Sequence, residues 1–355
     1  MSAEIESLPT PYREVRYEAT GNFASILEFL GASVLVSTYQ AGKVLCLGVN
    51  RGELQLSFLN FDRAMGLAAS SGRIAIGTRR QIHFLHASHE IARQIEPRGS
   101  HDACWAMRTS FYTGNVHGHD LGWGNEGLWM ANTLFSCLCT LEDGYNFVPR
   151  WRPKFITQLI DQDRCHLNGL AMDSGQPKYV TVLAESDSPA GWRVSKATTG
   201  AVIDVDSGEV VTRGLAMPHS PRIHAGKLWV LDSGNGALVT VDRVSGERQV
   251  VEAMPGYTRG LAFADQFAFV GLSKIRESSV FGDLPISHSH ESLRCGVGVI
   301  DLNSGRTVAT FQFHSGVEEI FAVEVLPNTR NPAIFGLIED SADEPEVWVV
   351  PPPSR

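Results

Sequence analysis

The chain reads as a succession of short apolar stretches, alternating or continuous, separated by glycine-bearing turns, with no long helical period. That is the signature of strands and hairpins. One phrase recurs three times: Ile203-Asp204-x-x-Ser207-Gly208, Val241-Asp242-x-x-Ser245-Gly246 and Ile300-Asp301-x-x-Ser304-Gly305. Each predicts the same hairpin. An apolar strand ends, the aspartate side chain caps the turn, glycine takes the positive-φ position, and a second strand begins.

A second phrase precedes the hairpins. It is an apolar strand opening near Gly-Leu or an equivalent, with starts at Arg63, His119, His166, His219, Tyr257 and Glu318. A further apolar strand follows each one, and the spacing is that of a four-stranded propeller blade. The fold class expected is therefore all-β, a β-propeller. Residues 34–61 add two or three strands upstream, which tips the expectation to seven blades. The alternative is six blades, with 34–61 closing the ring. Residues 22–30 suit a short helix. Residues 1–21 read as an N-terminal lead-in, 22–350 as one propeller domain, and 97–118 and 276–294 as insertions without a period.

Composition narrows the setting. Net charge is −9, so an acidic chain offers little to phosphate backbones and no nucleic-acid partner is expected. No apolar run is long enough to span a membrane, and the first residues lack the basic start and apolar core of a signal peptide. The six cysteines keep no framework spacing, Cys137 and Cys139 being C-x-C. They read as reduced thiols of a cytoplasmic protein.

Aligned on the first residue of each inner strand, the six starts give a column of Arg63, His119, His166, His219, Tyr257 and Glu318. Two positions later stand Met65, Leu121, Asn168, Pro221, Arg259 and Ile320. Innermost strands face the central channel, so such a column forms a ring. With 12 histidines in 355 residues, three in one column is a signal. Imidazole suits Fe, Cu and Zn, and three ligands with an open position suit catalysis. His119, His166 and His219 are thus candidate metal ligands, with His117 as a possible fourth. Asp120, Glu318 and Glu319 are candidate carboxylate partners for an imidazole. The rival reading has neutral histidines hydrogen-bonding a ligand without metal. Arg63, Asn168 and Arg259 are candidate substrate-binding residues, and Tyr257 and Glu318 candidate proton-transfer groups.

The phrases STYQAGK (37–43), WMANTLFSCL (129–138), DRCHLNGLAM (163–172), MPHSPRIHAGKLWVLDSG (217–234), PGYTRGLAF (255–263) and GLSKIRE (271–277) resemble the TIGR03032 family of uncharacterised bacterial proteins. The likeness runs from Ser37 to Leu337. It implies membership and carries no activity. The sequence leaves two classes of function open. One is a metal-dependent enzyme, oxidative with Fe or Cu, acting on a small anionic or polar substrate. The other is a binding scaffold whose loop tryptophans Trp105, Trp151 and Trp192 anchor a protein or glycan partner.

Overall fold

A computed structural model describes residues 14–275, 284–289 and 292–335. It is a six-bladed β-propeller. Each blade is a four-stranded antiparallel sheet built outward from the axis, and two blades carry a fifth strand at the rim.

The first blade holds Ser33–Thr38, Lys43–Asn50 and Glu53–Asn60. Its innermost strand is Ala322–Leu326, from the far end of the chain, paired antiparallel with Ser33–Thr38. The segment 34–61 therefore does not make a seventh blade. It closes the ring, because three strands without an inner neighbour complete a sheet only by recruiting that last strand.

The inner strands of blades two to six are Leu67–Ser70, Gly118–Gly124, Gly169–Asp173, Pro218–His224 and Tyr257–Ala264. Residues 97–118, expected as an insertion, instead contain Cys104–Tyr112, the fourth strand of blade two. The expected helix is present as Gly21–Leu30. Of the second insertion, only Pro285–Ser289, a short helix, and residues 284 and 292–294 lie within the described residues.

Period two explains why the ring holds. Along Ser33–Thr38, Val34 and Val36 pack toward blade six with Phe269 and Val297, while Leu35 packs toward blade two with Leu67 and Ile74. Every blade is buried on both faces in this way, and each of the six interfaces has its own apolar core. The three recurring turns behave as their residues dictate. Asp242 Oδ1 accepts from the Ser245 amide (2.7 Å) and hydroxyl (3.0 Å), and Gly246 takes φ +72°. Asp204 and Gly208 repeat this geometry; at Asp301 and Gly305 the carboxylate accepts from the Asn303 amide and the Ser304 hydroxyl donates to the Asp301 backbone carbonyl.

Candidate functional site

The expected column of side chains is staggered in the structure. Leu67, Leu121, Leu170 and Leu261 open the regular part of their strands at equivalent pairings. Counted back from those leucines, His119 is level with Met65, Asn168 and Arg259. His166 is two residues further back, level with Arg63 and Tyr257. The inner strands of blades three, five and six shift register where they meet the channel. Such bulges re-aim side chains. Non-glycine residues with positive φ crowd the same place: Arg63, His117, Asp163, His166, Met217 and Ser220. Backbone held in this region is strained and clusters at functional sites.

Two of the three histidines, His119 and His166, meet in a collar of rings, and His219 stands apart from them beside Tyr257. Trp192 lies 4.4 Å from His166 between centroids, His166 lies 4.8 Å from His119 edge to face, and His119 lies 5.2 Å from Phe321. Phe321 in turn carries the Arg259 guanidinium on its face, 3.4 Å from the centroid. His219 stands beside Tyr257 at 5.8 Å. Burial, then Arg259 and His166, holds His219 well below the ordinary imidazole range.

All three imidazoles are fixed through Nδ1. That nitrogen of His119 donates to the His117 carbonyl (2.9 Å) and lies 2.7 Å from the Thr133 hydroxyl, which itself donates to the Leu167 carbonyl (2.6 Å). His219 Nδ1 donates to the Met217 carbonyl at 2.8 Å, with the Ser233 hydroxyl at 3.0 Å. His166 Nδ1 faces the Asp163 carboxylate at 2.9 and 3.0 Å, and Trp192 donates to the same carboxylate at 3.0 Å. A neutral imidazole that donates from Nδ1 has its lone pair on Nε2. None of these Nε2 atoms bonds a described residue. Burial pushes His119 and His219 well below the ordinary imidazole range, with Arg259 reinforcing the shift in both.

The other sequence candidates divide. Arg259 and Tyr257 are buried at the collar. Asn168 is buried; its Oδ1 accepts from Thr181 (2.7 Å) and its Nδ2 has no partner among the described residues. Arg63 is exposed at the rim and donates to the Tyr39 hydroxyl at 3.3 Å. Glu318 is exposed and lines a surface cleft with Glu14 and Gln40; its neighbour Glu319 is the carboxylate that approaches Arg259, at 3.5 Å. Asp120 supports no imidazole. It accepts both arms of Arg222, at 2.8 and 3.1 Å. His117 is half-buried and supplies its carbonyl to His119. Trp105 and Trp192 are buried rather than presented at a rim, and Trp151 is half-buried.

Three residues that the sequence reading passed over matter here: Asp163, Phe321 and Arg222. Only Asp163 left a signal, standing one helical turn's spacing before His166 on a loop. As for an ion, the donor type fits Fe, Cu or Zn. The spacing does not: among the described residues, no three His, Cys, Asp or Glu side chains are gathered to hold one.

The fold is a six-bladed β-propeller, with a cluster of histidines and an arginine where its inner strands begin. The chain belongs to the family described as Domain of unknown function (DUF4915), whose model matches residues 21–335. Among solved structures, a chain in the crystal structure of a nidogen/laminin complex is similar with a TM-score of 0.51 and 13% identity. The likeness covers 83% of this chain and 98% of that one, and at such identity it speaks for the fold alone. No curated protein matches the chain.

Proposed function

We propose that the collar is the active centre of an enzyme acting on a small anionic substrate. One observation carries the reading: a buried guanidinium that makes no hydrogen bond among the described residues shares the collar with imidazoles whose Nε2 atoms bond no described residue. Such a grouping weakens the fold and is retained for chemistry. The groups divide by role. Arg259 binds the anion. A neutral imidazole accepts a proton, and Asp163 stabilises the positive charge this leaves on His166. Tyr257, its hydroxyl 3.4 Å from His219 Nδ1, helps orient that ring. The finer family assignment, to the bacterial TIGR03032 proteins, rests on the shared phrases, and a cytoplasmic setting suits six free cysteines.

The test needs no named substrate. The protein is incubated in D2O with small hydroxy, keto and amino acids and followed by NMR. The expected result is deuterium uptake or product formation from at least one compound, slowed roughly 100-fold in His166→Ala. A wild-type protein that changes none of them overturns the enzyme reading in favour of a binding scaffold.

A second reading places a transition ion, Fe, Cu or Zn, on the Nε2 atoms of His119, His166 and His219. It is favoured by the Nδ1 anchoring of all three rings, which metal-bound imidazoles usually keep. It requires the three side chains to draw together. Elemental analysis of the purified, tag-free protein beside His166→Ala decides it. Near-stoichiometric metal lost in the variant supports the ion, and no metal after reconstitution removes it.

A further inference from the structure

Two arginines enter the channel, and the fold treats them oppositely. Arg222 is spent. Its Nη1 donates to Asp120 Oδ2 (2.8 Å) and to the carbonyls of Leu170 and Pro221 (2.9 Å each), and its Nη2 donates to Asp120 Oδ1 (3.1 Å). Arg259 is unspent. Its side chain is only 9% exposed, yet among the described residues it makes no hydrogen bond, and its ion pair there, with Glu319, is long at 3.5 Å. Buried donors left unmade are costly, and a ligand that takes them recovers that cost.

The surroundings say what that ligand is. Phe321 covers one face of the guanidinium, which leaves the planar edge as the offered surface. An edge with two parallel N–H groups matches a carboxylate in bidentate fashion. A phosphate dianion would bring a second negative charge close to Glu319 and Asp163, which already border the collar. Phe321 also lies against His119, 5.2 Å between centroids, and the Nε2 atoms of His119 and His219 are lone-pair acceptors that need a hydrogen from the ligand. A hydroxyl supplies it at no charge, whereas an ammonium group would add a second cation beside Arg259. We infer that the collar binds a small 2-hydroxycarboxylate, its carboxylate on Arg259 and its hydroxyl donating to an imidazole Nε2. The inference rests on the reading of the collar as a substrate site.

Isothermal titration of the full chain with lactate, propionate, alanine and inorganic phosphate tests it. Lactate is expected to bind, propionate roughly tenfold more weakly for want of one hydrogen bond, and alanine and phosphate more weakly again. Arg259→Gln is expected to lose roughly 100-fold in lactate affinity, Arg259→Lys to lose part of it because a point charge replaces the fork, and Glu319→Gln to gain. The two milder variants keep the test alive if Arg259→Gln does not fold. Absence of lactate binding, tighter binding of phosphate or alanine, or wild-type affinity in a folded Arg259 variant each overturns the assignment. Binding is read without turnover. A lactate complex that undergoes no chemistry in D2O therefore refutes the enzyme and leaves this inference standing, while turnover of acids lacking the hydroxyl does the reverse.

Discussion

Glu324 shows how much one residue on the axis can weigh. It lies half-buried on the inner strand of blade one. Burial pushes its carboxyl up to about 8; Arg222 offsets the shift and Asp120 adds to it. The sign of the consequence follows. Below the ordinary carboxyl value of 4.5 both folded and unfolded chains hold the proton. Between there and about 8 the folded chain keeps a proton that the unfolded chain releases, so rising pH favours unfolding; above that the loss is complete. Glu324→Gln copies the protonated form. Denaturant midpoints are expected to coincide for the two proteins at acid pH. They should separate as pH rises, with the variant ahead by up to about 5 kcal/mol once the carboxyl has ionised. Parallel pH curves would show that Glu324 ionises freely in the native channel.

At the scale of strands and turns, the recurring hairpin is where local sequence determines structure most tightly. At Gly246 a Cβ would meet the Val211 carbonyl oxygen, and the backbone there has φ +72°. Gly246→Ala pays both strain and clash, and is expected to cost about 1–2 kcal/mol, read as a lowered denaturation midpoint with an unchanged slope. A neutral result would mean the turn can adopt another conformation. These hairpins, and the alternation that feeds two interblade cores from one strand, were legible because glycine, aspartate and period two leave letters in the sequence. The blade count was less so. Nothing in 34–61 announces that its inner partner lies at 322–326, since strand pairing across the ring depends on closure, not on local pattern. The collar was half legible. His119, His166, His219, Tyr257 and Arg259 were found, but their stagger arises from bulges and positive φ at His166 and Ser220, which no residue type announces. Asp120 and Glu318 were drawn toward the imidazoles by adjacency in sequence. The pleat turns Asp120 to Arg222, and the loop before the last inner strand gives Glu319, not Glu318, to Arg259.

For the molecule as a whole, a ring of blades held together by neighbouring faces has a weakness at its axis, where inner strands meet and little apolar surface is available. Close approach fills part of that space: at Gly260, φ +83°, a Cβ would collide with the backbone of Ala322 and Val323 in the next blade. The Asp120–Arg222 pair fills another part. It joins blade three to blade five over blade four, and Asp120 also accepts from the Leu121 and Leu170 amides, at 3.1 and 3.0 Å. A buried pair of this kind is costly to break from one side, because the surviving charge stays in place without its partner. Arg222→Met is therefore expected to destabilise the propeller by about 3–5 kcal/mol. Adding Asp120→Asn should recover part of that loss, since no charge is then left behind and the amide oxygen still accepts a backbone hydrogen bond. Chemical denaturation of the two single variants and the double variant gives the coupling directly. Losses that simply add would mean the pair is an ornament on a ring its six apolar cores already close, while recovery in the double variant would establish the bridge as a tie between blades that share no face.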